Sequence, residues 1–177
     1  SVDACLLIIN RSPLDYLNLD WVEIWGTPIR LMHSEEELSG EAGRNSVRLH
    51  WDAVEFSISD EKDNFNVTLH EFAHVLDFTD DQTANSIPVP RDSPEYSKWK
   101  SLLDREFPKL QKAYQRNQGH VLRDYAILQP DRSEFFSCAT ESFFKRSAEL
   151  KKSNPEIYSL FQSFYKLDPA SWQNSGI

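Results

Sequence analysis

Between Phe65 and Phe78 the chain holds no Pro or Gly, and Phe65, Leu69, Phe72 and Leu76 recur at the spacing of a helical stripe. This predicts a helix whose apolar side packs on a core, while His70, His74 and Asp77 fall on a neighbouring face that lines a cleft. A second stripe, Phe136, Ala139 and Phe143, predicts a helix over 133–144 with Glu134, Cys138 and Glu141 sharing its other side. Strand spacing occurs elsewhere: Val47, Leu49 and Trp51 alternate with Arg48 and His50, and 21–25 supplies a second strand, joined to the first by a polar segment rich in Glu and Gly. Residues 80–92 are expected to be a loop, because Pro88 and Pro90 disfavour helix and strand alike. Ser93-Pro94-Glu95 reads as a cap with proline at the first helical position, opening a helix to about Asn117 that Gly119 ends. Asn154-Pro155-Glu156 opens a last helix to about Lys166, with Tyr158, Phe161 and Phe164 available for packing, and residues 2–10 read as the first helix. The pattern is that of an α+β chain, mostly helical with a small mixed sheet.

The helix predicted between Phe65 and Phe78 carries His70-Glu71-Phe72-Ala73-His74, an H-E-x-x-H segment. Residues i and i+4 stack on one helix face, so the two imidazoles can each offer a nitrogen to one ion at about 2.0–2.1 Å. Glu71 lies too far round to be an easy third ligand and sits where a general base would act on a water. Asp77, three residues past His74, suits the orienting of a ligand or a bond to the structure beneath. The competing reading is an amphipathic helix with two ordinary histidines.

A hydrolytic zinc site usually takes three protein ligands and leaves one position for water. Glu134, Cys138 and Glu141 can each reach a metal held by His70 and His74, and spacing leaves all three open. Glu134 also fits a capping pattern with Asp131, Glu141 fits an i,i+4 pair with Lys145, and Cys138 fits a small core filler. Residues 46–51 are the best candidate for an exposed sheet edge that holds an extended peptide, or else an ordinary core strand.

At 177 residues and 40% hydrophobic, the chain has enough material for one domain with a real core, expected to span 1–177. A formal charge of −9 argues against direct binding to nucleic acid or an anionic membrane and suits a partner with a basic face. No stretch approaches a membrane span, and Asp3 precedes the short apolar run at 6–9 where a leader would carry positive charge, so a cytoplasmic address is the expectation. Cys5 and Cys138 read as two buried thiols, not a disulfide. His33 and His50 are expected to face solvent or pack, His120 to sit in a loop, and the Asn66-Val67-Thr68 sequon to be accidental. Residues 40–46 contain glycines but lack the ending of a phosphate-binding loop.

Taken in order, Ala4-Cys5-Leu6-Leu7-Ile8-Ile9, Gly40-Glu41-Ala42, Val47 to Asp52, Asn66 to Asp77, Glu134-Phe135-Phe136 to Glu141-Ser142-Phe143-Phe144, Pro155-Glu156-Ile157-Tyr158 and Phe164 to Pro169 resemble the Mlc titration factor A family of zinc-dependent peptidases. The likeness extends over nearly the whole chain, and its Tyr-to-Glu-Phe-Phe arrangement is similar to the catalytic domain of anthrax lethal factor. The resemblance implies a zincin-like metallopeptidase domain with Zn2+ on His70, His74 and Glu134, Glu71 as general base, Glu141 supporting the site, and Tyr125 assisting catalysis. The stretch from Tyr125 to Glu134, with Pro130 inside it, is longer than in the family pattern. The resemblance further implies aminopeptidase-like action on a peptide or protein substrate. It implies N-terminal helices before Ser1 as well, so a longer natural protein is expected. The alternative function is a regulatory protein that sequesters a transcriptional repressor.

Overall fold

A computed structural model describes residue 16 and residues 19–26, 29–30, 37–59, 63–78, 84–128 and 132–172; the expected first helix, Cys5, His33, Pro130 and Asp131 lie outside them. Strand β1 (Trp21–Trp25) pairs in parallel with β5 (Ser46–His50), Trp21 opposite Ser46 and Trp25 opposite His50. Strand β4 (Gly40–Ala42) pairs antiparallel on the other side of β5, Gly40 opposite Leu49 and Ala42 opposite Val47. Between β1 and β4 in sequence, β2 (Ile29–Arg30) and β3 (Glu37–Leu38) make a separate antiparallel ladder. The candidate for an exposed edge is therefore the middle strand, bonded on both sides as its alternative reading of a core strand requires, and β1 and β4 take the edges. The alternation also ends early: Val47 and Leu49 are buried as expected, but so is His50, and Trp51 opens helix α1 (Trp51–Ser59) with its ring exposed.

Helix α2 (Val67–Asp77) starts where Asn66, in extended backbone, accepts a hydrogen bond from the Leu69 N–H at 2.9 Å. The sequon asparagine is thus the N-cap, worth about 0.5–2 kcal/mol, and is itself buried. Ser57 of α1 accepts from the Val67 N–H at 3.0 Å, tying the sheet side of the molecule to the same helix start. Leu69, Ala73 and Leu76 enter the main core; Val67 and Val75 join Val47, Leu49, Ala53 and Val54 in a smaller one. The expected division into a core face and an open face gives way to a helix buried on both flanks.

The remaining helices are α3 (Tyr96–Gln115), α4 (Tyr125–Leu128), α5 (Phe135–Lys145), α6 (Ser147–Ser153), α7 (Pro155–Tyr165) and α8 (Pro169–Trp172). Ser93 and Pro94 form a turn ahead of α3, in which the Ser93 hydroxyl accepts from the Glu95 N–H, so the helix begins later than the cap signal predicts. Its end is also displaced: Asn117, at φ 51°, takes the left-handed position, and the Gln118 N–H returns to Ala113 O at 2.9 Å. Asparagine tolerates that conformation, so Gly119 is not needed as the stop. Asn154 caps α7 as expected, accepting from the Ile157 N–H.

Helix α5 is held by an aromatic cluster. Phe136 packs on Trp99, Phe161 and Phe164 with centroids 5.4–5.7 Å apart, and Phe143 lies 5.2 Å from Tyr158 and 5.7 Å from Tyr165. Each buried ring contributes about 1.5–3 kcal/mol, so the first turn of α5, and Glu134 with it, is fixed by the core. No described helix is long and apolar enough to cross a membrane.

Candidate metal centre

His70 and His74 lie one turn apart on α2, with ring centroids 4.9 Å apart and their Nε2 atoms 3.2 Å apart. Glu134, at the N-cap of α5, brings Oε2 to 3.0 Å from His70 Nε2 and 3.2 Å from His74 Nε2. Ligands about 2.0–2.1 Å from a tetrahedral zinc stand about 3.3–3.4 Å from one another, so this triangle is only slightly tighter than such an ion needs. The donor set makes the same point chemically: two imidazole lone pairs and a carboxylate oxygen repel at this distance unless a cation or shared protons lie among them. With protons shared among them and no ion, burial favours the neutral form of Glu134, but the hydrogen bonds and charge of the two imidazoles outweigh it and hold the carboxyl well below the usual range. Glu134 makes no capping bond to its own helix.

The other ring nitrogen of His70 is held from behind. Nδ1 lies 3.2 Å from Glu141 Oε2, and with Nδ1–H donating there, Nε2 keeps its lone pair for the triangle. Glu141 is 0% exposed and also accepts from the Asn66 N–H at 2.7 Å and from Arg123 Nη1 at 3.1 Å to each oxygen. One carboxylate thereby joins the start of α2, a metal-facing imidazole and Arg123, whose guanidinium stacks 4.7 Å over Phe65. Lys145, the alternative i,i+4 partner for Glu141, is engaged beside the end of α1 and the start of α2. Its Nζ donates to the carbonyls of Ser57 and Phe65 at 3.2 and 3.0 Å.

His70, Cys138 and Glu141 make a second group with ligand atoms close enough for an ion. It fits one less well. Glu141 is already occupied by three donors, and burial pushes the Cys138 thiol up to about 11, so it stays protonated at neutral pH.

Glu71 points its carboxylate at the edge strand, against Gly40, and burial raises its carboxyl above the usual range. His70, Glu71 and His74 are only 7%, 7% and 9% exposed. Tyr125, at the start of α4, is 37% exposed with its ring 5.9 Å from that of His70. Asp77 faces away from solvent and accepts from the Ser86 N–H at 2.7 Å, and burial raises its carboxyl to about 7. Asp77 thus bonds to the structure beneath, the second of its expected roles. His50 packs, and His120 lies in a loop with Nε2 3.2 Å from Asp124.

Gly40, Ser86 and Arg123 are residues that spacing did not single out. Their parts depend on contacts between segments far apart in the chain. Only the Gly40-Glu41-Ala42 run, as part of the family resemblance, carried any signal.

The sequence model of a family described as glucose-regulated metallo-peptidase M90 matches residues 1–166. An uncharacterized protein of Synechocystis sp. is 28% identical over 182 residues, covering 96% of this chain and 65% of that protein. Mlc titration factor A of Pectobacterium atrosepticum is 31% identical over 162 residues, covering 86% of this chain and 59% of that protein. The protein of the same name from Yersinia pestis is 27% identical over 161 residues, covering 86% and 58%. The chain spans less than two thirds of the length of these relatives. With a profile match over nearly its whole length, the chain belongs to the glucose-regulated metallo-peptidase M90 family.

Proposed function

We propose that residues 1–177 form one zincin-like domain that hydrolyses peptide bonds, with Zn2+ held by His70, His74 and Glu134. The observation that carries this is the convergence of two Nε2 atoms and one carboxylate oxygen to within 3.0–3.2 Å. The ion would supply Lewis acidity, lowering the pKa of a water and polarising the scissile carbonyl.

The protein's own groups do the rest. Glu71, its carboxyl raised by burial, takes the proton of the attacking water and delivers it to the leaving amine. Glu141 keeps His70 in the tautomer with a free Nε2. The Tyr125 hydroxyl donates to the developing oxyanion, a contribution worth about 2.7–4 kcal/mol where the donor is well placed. An extended substrate would add to the sheet at β4, since of the two edge strands, β1 and β4, it is β4 that lies against Glu71. Aminopeptidase-like preference belongs to the same reading.

Glu71→Gln tests it. The variant should retain one zinc per chain and lose nearly all chelator-sensitive peptide cleavage; cleavage at the wild-type rate would remove Glu71 from the mechanism. A second reading, a regulatory protein that sequesters a transcriptional repressor, draws on relatives that bear the name Mlc titration factor A. Stoichiometric zinc with no cleavage across a peptide library would favour it.

A further inference from the structure

Glu134 occupies the N-cap of α5, where a side chain ordinarily accepts a hydrogen bond from the second or third N–H of the helix. Its carboxylate is turned away, toward the two imidazoles. The second N–H, that of Phe136, is nevertheless satisfied: Ser86 Oγ, far away in sequence, accepts from it at 2.8 Å. The same hydroxyl donates to the Arg132 carbonyl at 2.6 Å, in the turn just before Glu134. The Ser86 N–H donates to Asp77 Oδ2 at 2.7 Å, and Asp77 is the last residue of the helix that carries both histidines.

Ser86 is 1% exposed and sits at φ 62°, a conformation that a β-substituted residue adopts only when its surroundings impose it. Here both its N–H and its hydroxyl are engaged in joining the end of α2 to the start of α5.

We infer that Ser86 is a positioning residue for the metal centre: it caps α5 in place of Glu134, which frees the Glu134 carboxylate to face His70 and His74. The inference rests on the reading of those three residues as metal ligands. Without the Ser86 hydroxyl, the Phe136 N–H loses its acceptor, and the N-cap carboxylate of Glu134, two residues back, is the side chain placed to take over that bond. Capping and metal binding then compete for the same oxygens. The register between the two helices also loosens, because the bridge from Asp77 to α5 is cut.

The experiment is zinc titration of the metal-stripped chain against a chromophoric chelator, together with thermal unfolding, for the wild type, Ser86→Ala, Ser86→Gly and Asn154→Ala. Ser86→Gly removes the hydroxyl while suiting the positive φ, so it guards against a variant that fails to fold. Asn154→Ala removes a helix cap on α7, remote from the metal, and controls for stability alone. The expected result is zinc affinity lowered about 10–100-fold in both Ser86 variants, and unchanged in Asn154→Ala even where its melting temperature falls as far. Wild-type zinc affinity in the Ser86 variants would overturn the inference while leaving the metal centre standing. A wild-type chain that takes up no zinc would overturn both.

Discussion

Replacing Glu141 by Gln changes one oxygen to an NH2 group and removes a charge that is 0% exposed. Three donors converge on that carboxylate: the Asn66 N–H, Arg123 Nη1 and, in the tautomer the triangle needs, His70 Nδ1–H. The carboxamide can accept through its oxygen alone, so at least one donor faces an NH2 group. Breaking a buried ion pair by removing one partner costs about 3–5 kcal/mol. Arg123 keeps 28% of its side chain in solvent and can be rehydrated there, which brings the expected loss nearer ~2–3 kcal/mol. For a chain of this size that is a fall in melting temperature of about 5–10 °C. His70 also loses the acceptor that fixes its tautomer, so zinc affinity should drop about 10–100-fold. Thermal unfolding of the metal-free protein reads the first effect, and zinc competition with a chromophoric chelator reads the second. A lower melting temperature with unchanged zinc affinity would refute the orienting role of Glu141; neither effect would refute the network.

Two further substitutions probe other parts of the site. At Gly40 an added Cβ would meet Glu71 Oε1 at 2.7 Å, Glu71 Cγ at 2.8 Å and Val67 Cγ2 at 2.8 Å, so Gly40→Ala should cost about 1–3 kcal/mol and displace Glu71. It should retain zinc and lose peptide turnover, whereas a variant as stable and as active as the wild type would show that the close approach does not matter. Asp77 has its folded-state carboxyl raised by burial from 3.8 to about 7. The folded protein therefore binds that proton more tightly than the unfolded chain, and the resulting stability is full below about pH 4 and lost as pH rises to about 7, amounting to up to about 4 kcal/mol. Asp77→Asn, measured metal-free by denaturant titration from pH 4 to 8, should gain on the wild type as pH rises; parallel curves would contradict it.

The helices were legible where local chemistry decides them. Leu69, Leu76, Phe136 and Phe143 lie in the core as their spacing requires, and Asn154 with Pro155 starts α7 as its cap signal says. Spacing narrowed the third donor to Glu134, Cys138 or Glu141 and went no further, because all three lie on α5 or at its start, on the side that meets α2. The family resemblance favoured Glu134, and the structure places its carboxylate at the imidazoles with Glu141 behind them. Strand position was not legible. Period-two alternation reports which face of β5 is buried, whereas its central place depends on β1 and β4, which lie elsewhere in the sequence. Ser86 left no local signal either, since its partners at Asp77, Arg132 and Phe136 come from other segments.

Zinc X-ray absorption on the purified chain, after metal content is measured, tests the central claim most directly. The account predicts one zinc per chain with two imidazoles and oxygen ligands at about 2.0–2.1 Å, and loss of the metal in His74→Ala. A sulfur shell at about 2.3 Å would instead place the ion with Cys138 and Glu141, and a chain that binds no zinc would contradict the centre altogether.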